Sequence, residues 1–133
     1  DLDKDRIIMV EVAFAHEDNE QPDETIKTYA NNINTHEGGF HLKGFRDEYK
    51  RQLNKFGIDN KIISEEIELK YLLDGIYAVV SVKVPDPEFE GQTKTKLGNA
   101  EAQTAVEEVM KKGFETILKD KSYHPLLETL VVR

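Results

Sequence analysis

Nine residues, Ile76 to Val84, repeat with a period of two. Ile76, Ala78, Val80, Val82 and Val84 point one way, and Tyr77, Val79, Ser81 and Lys83 point the other. A pleated strand sets successive side chains on opposite faces, so this run reads as a β-strand with one strongly apolar face. Pro85 and Pro87 end it, because proline donates no ladder hydrogen bond. The apolar face has to be covered, and the rest of the chain must supply the cover.

A second period-two run sets Ile8, Val10, Val12 and Phe14 against Met9, Glu11 and Ala13, and predicts a strand from about Arg6 to Ala15. The polar stretch His16 to Glu24 contains Pro22 and reads as a turn or loop. Thr25 to Ile33 reads as another strand, expected to form an antiparallel hairpin with the first. Asn34 to Gly39, NTHEGG, reads as a loop. Leu42, Phe45, Tyr49, Leu53 and Phe56 then recur at steps of three and four, which predicts a helix from about His41 to Phe56 with Gly57 as its stop. The mixed segment Ile58 to Asp74 has room for a short helical turn around Ser64 to Leu69. A second helix is expected from about Ala100 to Lys119, with Asn99 as N-cap and Glu101 at its positive end. Its apolar stripe is Ala102, Ala105, Val106, Val109, Met110, Gly113, Ile117 and Leu118. Strand, strand, helix, strand, helix implies a small sheet with both helices on one face, an α/β two-layer sandwich.

A chain of 133 residues, 38% hydrophobic and 33% charged, is the size of one globular domain with a real core. Residues 1–133 are therefore expected to form a single domain, with 121–133 as a tail that no pattern assigns. The chain starts at Asp1 with neither methionine nor signal sequence and enters a strand almost at once, which predicts a fragment of a larger protein. No apolar run approaches the ~18 residues needed to cross a bilayer. With no cysteine, disulfides, a thiolate nucleophile and zinc–thiolate sites are excluded, which fits a reducing cytoplasm. The net charge of -8 means that any contact with DNA has to come from a local basic patch. One candidate is the first helix, where Lys43, Arg46 and Lys50 share a flank and Arg51 and Lys55 lie farther round. Asp47 and Glu48 interrupt them, so the face reads either as a solvated mixed-charge surface or as a modest phosphate-contacting stripe.

Chemistry concentrates in EFEGQTKTKLGN, Glu88 to Asn99. Gly91, Gln92, Thr93, Lys94, Thr95 and Lys96 place a glycine, an amide, two hydroxyls and two ammonium groups where all can donate to phosphate oxygens. The stretch is not a Walker A loop, since Thr93 rather than glycine precedes Lys94-Thr95. On composition alone, a solvated polar loop is the plainer reading. His36-Glu37-Gly38-Gly39-Phe40-His41 resembles a zincin motif with its second histidine one residue late. On a helix, that spacing turns the two rings about 140° apart, so they cannot share a metal. No catalytic triad and no carboxylate pair for acid–base work can be nominated.

Two segments carry a resemblance. Tyr29 to Phe45, YANNINTHEGGFHLKGF, and Val79 to Glu101, VVSVKVPDPEFEGQTKTKLGNAE, closely resemble the B protein of bacterial DNA gyrase, in the type II topoisomerase ATPase-subunit family. They look like its transducer, the domain that follows the ATPase domain, and Val10 to Phe14 fits the same place. The match covers most of residues 6–120. Phe40 replaces the family's usual threonine, and Ile58 to Leu73 matches poorly.

The resemblance implies a ribosomal protein S5 domain 2-like fold. It also implies that a QTK loop reaches into the ATP site of the preceding domain, where Gln92 and Lys94 contact the γ-phosphate and Lys94 stabilises the transferring phosphoryl group. Mg²⁺ and the general base belong to that preceding domain. Arg51 occupies the place of a family arginine that faces the DNA cavity. The implied partners are DNA, the gyrase A protein and a second copy of the gyrase B protein in the ATP-closed clamp, with no membrane. The paralogous B protein of topoisomerase IV shares this architecture. A non-enzymatic nucleic-acid or protein interaction module on an S5-like fold is the reading from another class.

Overall fold

The structure, a computed structural model, describes residues 8–16, 25–73, 75–90, 96–123, 125 and 127. The strands are β1 (Met9–His16), β2 (Thr25–Ala30), β3 (Ile33–Asn34), β4 (Ile76–Lys83), β5 (Phe89–Glu90) and β6 (Lys96–Leu97). The helices are α1 (Phe40–Asp59), α2 (Leu69–Leu72) and α3 (Glu101–Lys119), followed by a 3₁₀ turn at Lys121–Tyr123.

The predicted strand Ile76 to Val84 is the centre of the main sheet, whose order is β1-β4-β2-β3. β1 pairs with β4 antiparallel, from Met9 opposite Lys83 to His16 opposite Ile76. β2 pairs with β4 parallel, from Thr25 opposite Tyr77 to Ala30 opposite Val82. The expected β1–β2 hairpin is therefore not formed. The two strands do run in opposite directions, but β4 lies between them. Local chain order favours a hairpin, yet the strand with the most apolar face gains most from a position paired on both edges. His16 and Thr25 stand at the same end of β4 on its opposite edges, only about two strand spacings or 10 Å apart.

The expected strand Thr25 to Ile33 is broken in two. Asn31 and Asn32 adopt φ of 50° and 68°, the left-handed pair of a two-residue hairpin turn, and β2 folds back onto β3. Asparagine tolerates that region better than most residues. The Asn31 side chain also extends the sheet: its Nδ2 donates to the Val84 carbonyl at 3.0 Å, and its Oδ1 accepts the Val84 N–H at 2.8 Å.

One face of the sheet is covered and the other is open. Ile76, Ala78, Val80 and Val82 are buried under the helices, whereas Tyr77 and Val79 are exposed. From α1 the core takes Phe45, Tyr49, Leu53 and Phe56, and from α3 it takes Ala102, Val106, Met110 and Phe114. Phe14 of β1 ties the layers together. Its ring packs edge-on against Phe45 and Tyr49 at 6.2 and 5.5 Å, and is stacked on Phe114 at 5.9 Å. The two-layer α/β sandwich expected from the sequence is the observed architecture.

Both long helices differ in detail from expectation. α1 runs through Gly57 and ends at Asp59, with Lys61 taking the left-handed position at φ 59°. The Lys61 and Ile62 amides turn back to the carbonyls of Ile58 and Gly57 at 3.0 and 2.8 Å, a Schellman closure. Gly57 is buried inside the last turn, so its carbonyl, rather than its freedom in φ, serves the helix end. The predicted turn around Ser64 to Leu69 falls later, as α2. In α3, Val109 and Gly113 lie on the solvent side and the unpredicted Phe114 fills the core.

α1 and α3 approach closely at Gly44. A Cβ there would lie 2.6 Å from the backbone oxygen of Gln103 and 3.2 Å from its Cα. At Gly113 a Cβ would meet nothing within 4 Å. Gly44→Ala should therefore lower stability by about 1–3 kcal/mol, whereas Gly113→Ala should raise it by about 0.5–1 kcal/mol. Urea denaturation of the two variants checks the opposite signs.

Candidate functional site

The two ends of the segment Glu88 to Asn99 pair as the base of a hairpin rather than forming a plain loop. Phe89 pairs with Leu97 and Glu90 with Lys96. Gln92 and Lys94 lie outside the described residues, between these paired ends. Below the pairs, the Gly98 amide donates to the Glu88 carbonyl at 2.6 Å. Asn99, only 3% exposed, closes the base. Its Oδ1 accepts the Glu88 N–H at 2.5 Å, and its Nδ2 donates to the Asp86 carbonyl at 2.9 Å and to Glu101 Oε1 at 2.8 Å. Asn99 is thus not the side-chain N-cap that was expected. Ala100 holds that position with no capping side chain, because the Asn99 amide is engaged by the Asp86–Glu88 strand entry. Glu101 does sit in the first turn. Its carboxyl is held below the usual range by the Asn99 hydrogen bond and, next, by a backbone hydrogen bond.

The far side of the hairpin base rests on the NTHEGG loop. The Leu97 amide donates to the Gly38 carbonyl at 3.0 Å, and Leu97 itself is fully buried. Gly39 adopts φ 131°, and a Cβ on it would stand 2.3 Å from the Leu97 oxygen and 2.6 Å from its nitrogen. Backbone lies against backbone here, and only glycine leaves the room. Gly39, Phe40, Lys43 and Lys96 line a shallow depression of about 200 Å³ at the start of α1. Lys43 is exposed and ion-paired with Asp47 at 2.7 Å, a hydrogen bond that raises its pKa.

The NTHEGG loop is in turn fastened to the sheet. The Thr35 amide donates to the Thr28 carbonyl at 2.8 Å, and Thr28 Oγ1 donates to the Thr35 carbonyl at 2.7 Å. The two hydroxyl oxygens are 2.8 Å apart, and Thr35 Oγ1 is 2.8 Å from His41 Nε2. Proton counting orders this chain. Thr28 has already spent its one hydrogen on the Thr35 carbonyl, so Thr35 donates to Thr28 and accepts from His41 Nε2–H. That leaves Nδ1 as the bare ring nitrogen, and it has no hydrogen-bond partner among the described residues. His41 is fully buried, and desolvation pushes its pKa down from 6.5 to about 4. His36 is exposed in the turn before α1, so the two histidines play unrelated parts. Among the described residues no cluster of three His, Asp or Glu side chains could hold a metal.

Arg51 lies on the outer side of α1, away from the NTHEGG loop. Its exposed guanidinium pairs with Glu48, a nearly buried carboxylate that also accepts from Gln52 Nε2 at 2.6 Å. A depression of about 490 Å³ on this face is lined by Lys50, Arg51 and Lys55 together with Asp47 and Glu66. The mixed charge foreseen in the sequence is present.

Known proteins share both the sequence and the fold. The DNA gyrase B family model matches residues 1–131. The chain belongs to the DNA gyrase B family. It is 39% identical over 119 residues to the DNA gyrase B protein of Mycoplasma genitalium, covering 87% of this chain and 18% of that protein. It is 42% identical over 112 residues to the DNA gyrase B protein of Staphylococcus aureus, covering 82% and 17%. The chain thus spans less than a fifth of the length of these relatives. Among solved structures, the 43K ATPase domain of Thermus thermophilus gyrase B in complex with an aminocoumarin matches at 39% identity. The TM-score is 0.75, and the match covers 93% of this chain and 32% of that one. The B-subunit of Myxococcus xanthus DNA gyrase, at 23% identity and a TM-score of 0.73, shares the fold. The two-layer sandwich accords with the S5 domain 2-like fold of this family. No helix among the described residues is long and apolar enough to cross a membrane.

The network around His41 was not singled out from the sequence, although the Gly38-Gly39 pair did mark a tight turn. Its pH dependence is testable. The folded state resists protonating His41 until about pH 4, whereas the unfolded chain takes the proton near pH 6.5. This contribution to stability is complete above pH 6.5 and is lost as pH falls toward 4, a loss on the order of 2–3 kcal/mol. Urea midpoints between pH 7.5 and 5 should fall for the parent chain and fall distinctly less for His41→Asn, which has no imidazole to titrate.

Proposed function

We propose that this chain, residues 1–133 with 121–133 as a tail, is the transducer domain of a gyrase-type B protein within an ATP-dependent type II DNA topoisomerase. Gln92 and Lys94 are its contacts to the γ-phosphate of ATP. The observation that carries this reading is the construction of the hairpin base. Residues 91–95 lie between two paired positions, latched on one side by Asn99 and on the other by Leu97 against Gly38.

The donor set fits a phosphate. An amide and an ammonium group supply charge-assisted hydrogen bonds that a neutral loop cannot. ATP and Mg²⁺ belong to a preceding ATPase domain, whose site Gln92 and Lys94 complete. Lys94 stabilises charge on the transferring phosphoryl group. Contacts that exist only while the terminal phosphate is present bias the domain between two positions, which couples hydrolysis to clamp motion. The partners of the intact assembly are DNA, the gyrase A protein and a second gyrase B protein, in the cytoplasm. The α1 face with Lys50, Arg51 and Lys55 is the surface turned toward DNA. Arg51 acts there while neutralising Glu48, so its role is shared between structure and contact.

Lys94→Ala in the full-length protein, assembled with gyrase A, tests the reading. ATP turnover and supercoiling should fall by about 10²-fold, the scale for losing one preorganised donor. Circular dichroism and the thermal midpoint should stay at parent values. Turnover close to that of the parent would refute the role of Lys94.

A further inference from the structure

We infer that the contact between Gly39 and Leu97 is a positioning site for the 91–95 segment, so that residues outside the phosphate-binding loop set its reach. The inference rests on the assignment of Gln92 and Lys94 as phosphate contacts. Its geometry is independent of that assignment.

Leu97 is the last residue of the hairpin's returning strand and lies two residues beyond the segment. It is gripped by the Gly38 carbonyl at 3.0 Å and covered by the Gly39 backbone, with no space for a side chain between them. Gly39 also bridges Leu97 in parallel register, so the NTHEGG loop meets the hairpin base through a backbone bridge. The loop cannot drift, because Thr28 and Thr35 bind it to β2 and Thr35 binds His41 at the start of α1. A continuous set of hydrogen bonds and one close backbone contact therefore run from the central sheet to the foot of the segment. The entering strand is held separately, by Asn99 to Asp86 and Glu88.

Glu90 and Lys96, the described positions on either side of the segment, are held from the core by these two latches. A displacement of about 1 Å at a catalytic group costs on the order of 10²-fold in rate. At Gly39, any side chain must push the Leu97 backbone away, because the atoms it meets belong to the main chain and cannot rotate aside. Gly39 and Leu97 are positioning residues; they touch no substrate.

The test uses the full-length protein in complex with gyrase A, comparing Gly39→Ala, Lys94→Ala, the double variant and Leu53→Ala. Leu53 is a buried core residue in the second half of α1, fourteen positions beyond Gly39, so Leu53→Ala reports what destabilisation alone does to turnover. Gly39→Ala should lower the kcat for ATP at least tenfold, with a folded protein by circular dichroism, while Leu53→Ala stays within about twofold of the parent. The double variant should be no slower than Lys94→Ala, because one residue acts through the other. Turnover of Gly39→Ala within twofold of the parent overturns the inference. So does a multiplicative loss in the double variant, or an equal loss in Leu53→Ala. If Gly39→Ala does not fold, Thr35→Val, which unties the NTHEGG loop from Thr28 and His41, is read by the same criteria. A normal Lys94→Ala would instead refute the phosphate assignment, and the two failures are distinct.

Discussion

Pairing along both edges of β4 organises the molecule. A strand whose alternate residues are Ile76, Ala78, Val80 and Val82 has one face that must leave water, and its backbone groups must all be satisfied while it does so. β1 and β2 complete the two ladders, and α1 and α3 cover the apolar face. With β4 in the centre, β2 and β3 lie to one side of it. The NTHEGG loop then leaves from β3 straight into α1. The start of α1 is set near the sheet's edge by hydrogen bonds that begin at Thr28, inside β2 itself.

The helical layer is rigid for two different reasons. Phe14, Phe45, Tyr49 and Phe114 interlock across three elements, so no one of them can shift without the others. Beside Phe45, Gly44 lets α1 and α3 approach until a Cβ there would lie 2.6 Å from the Gln103 backbone oxygen. α3 begins directly after the hairpin, so the fixed α1–α3 contact also fixes the direction from which the hairpin leaves the core. Asn99 stands at that junction and serves the hairpin instead of the helix. A capping side chain satisfies a single amide, whereas here the same group joins Asp86, Glu88 and Glu101.

Charge plays a smaller part than the composition suggests. A net charge of -8 sets a repulsive background for nucleic acid, and the cations on the outer face of α1 are partly consumed by their own neighbours. Lys43 answers Asp47 and Arg51 answers Glu48. The exposed Lys43–Asp47 pair contributes little to stability, whereas Arg51 answers a carboxylate that is nearly buried. Their effect is to restrict which cations on the α1 face remain available to a phosphate backbone.

Much of this protein was legible in its residues. Period two in Ile76 to Val84 and steps of three and four in Phe45, Tyr49 and Leu53 are local signals, written by the geometry of a single strand or helix, and they identified the elements and the two-layer class. The strings around NNINTHEGG and EGQTKTKLGN were specific enough to carry the family. Chain order alone, however, favoured a β1–β2 hairpin, and only the tertiary structure placed β4 between them, because the gain from pairing the most apolar strand on both edges is non-local. Gly57 and Asn99 looked like helix signals and proved otherwise, since a carbonyl or an amide is used by whatever partner the fold brings within reach. The contact of Gly39 with Leu97 joins residues far apart in the chain through backbone atoms that every residue possesses. No side-chain pattern can announce such a contact, and folding alone decides it.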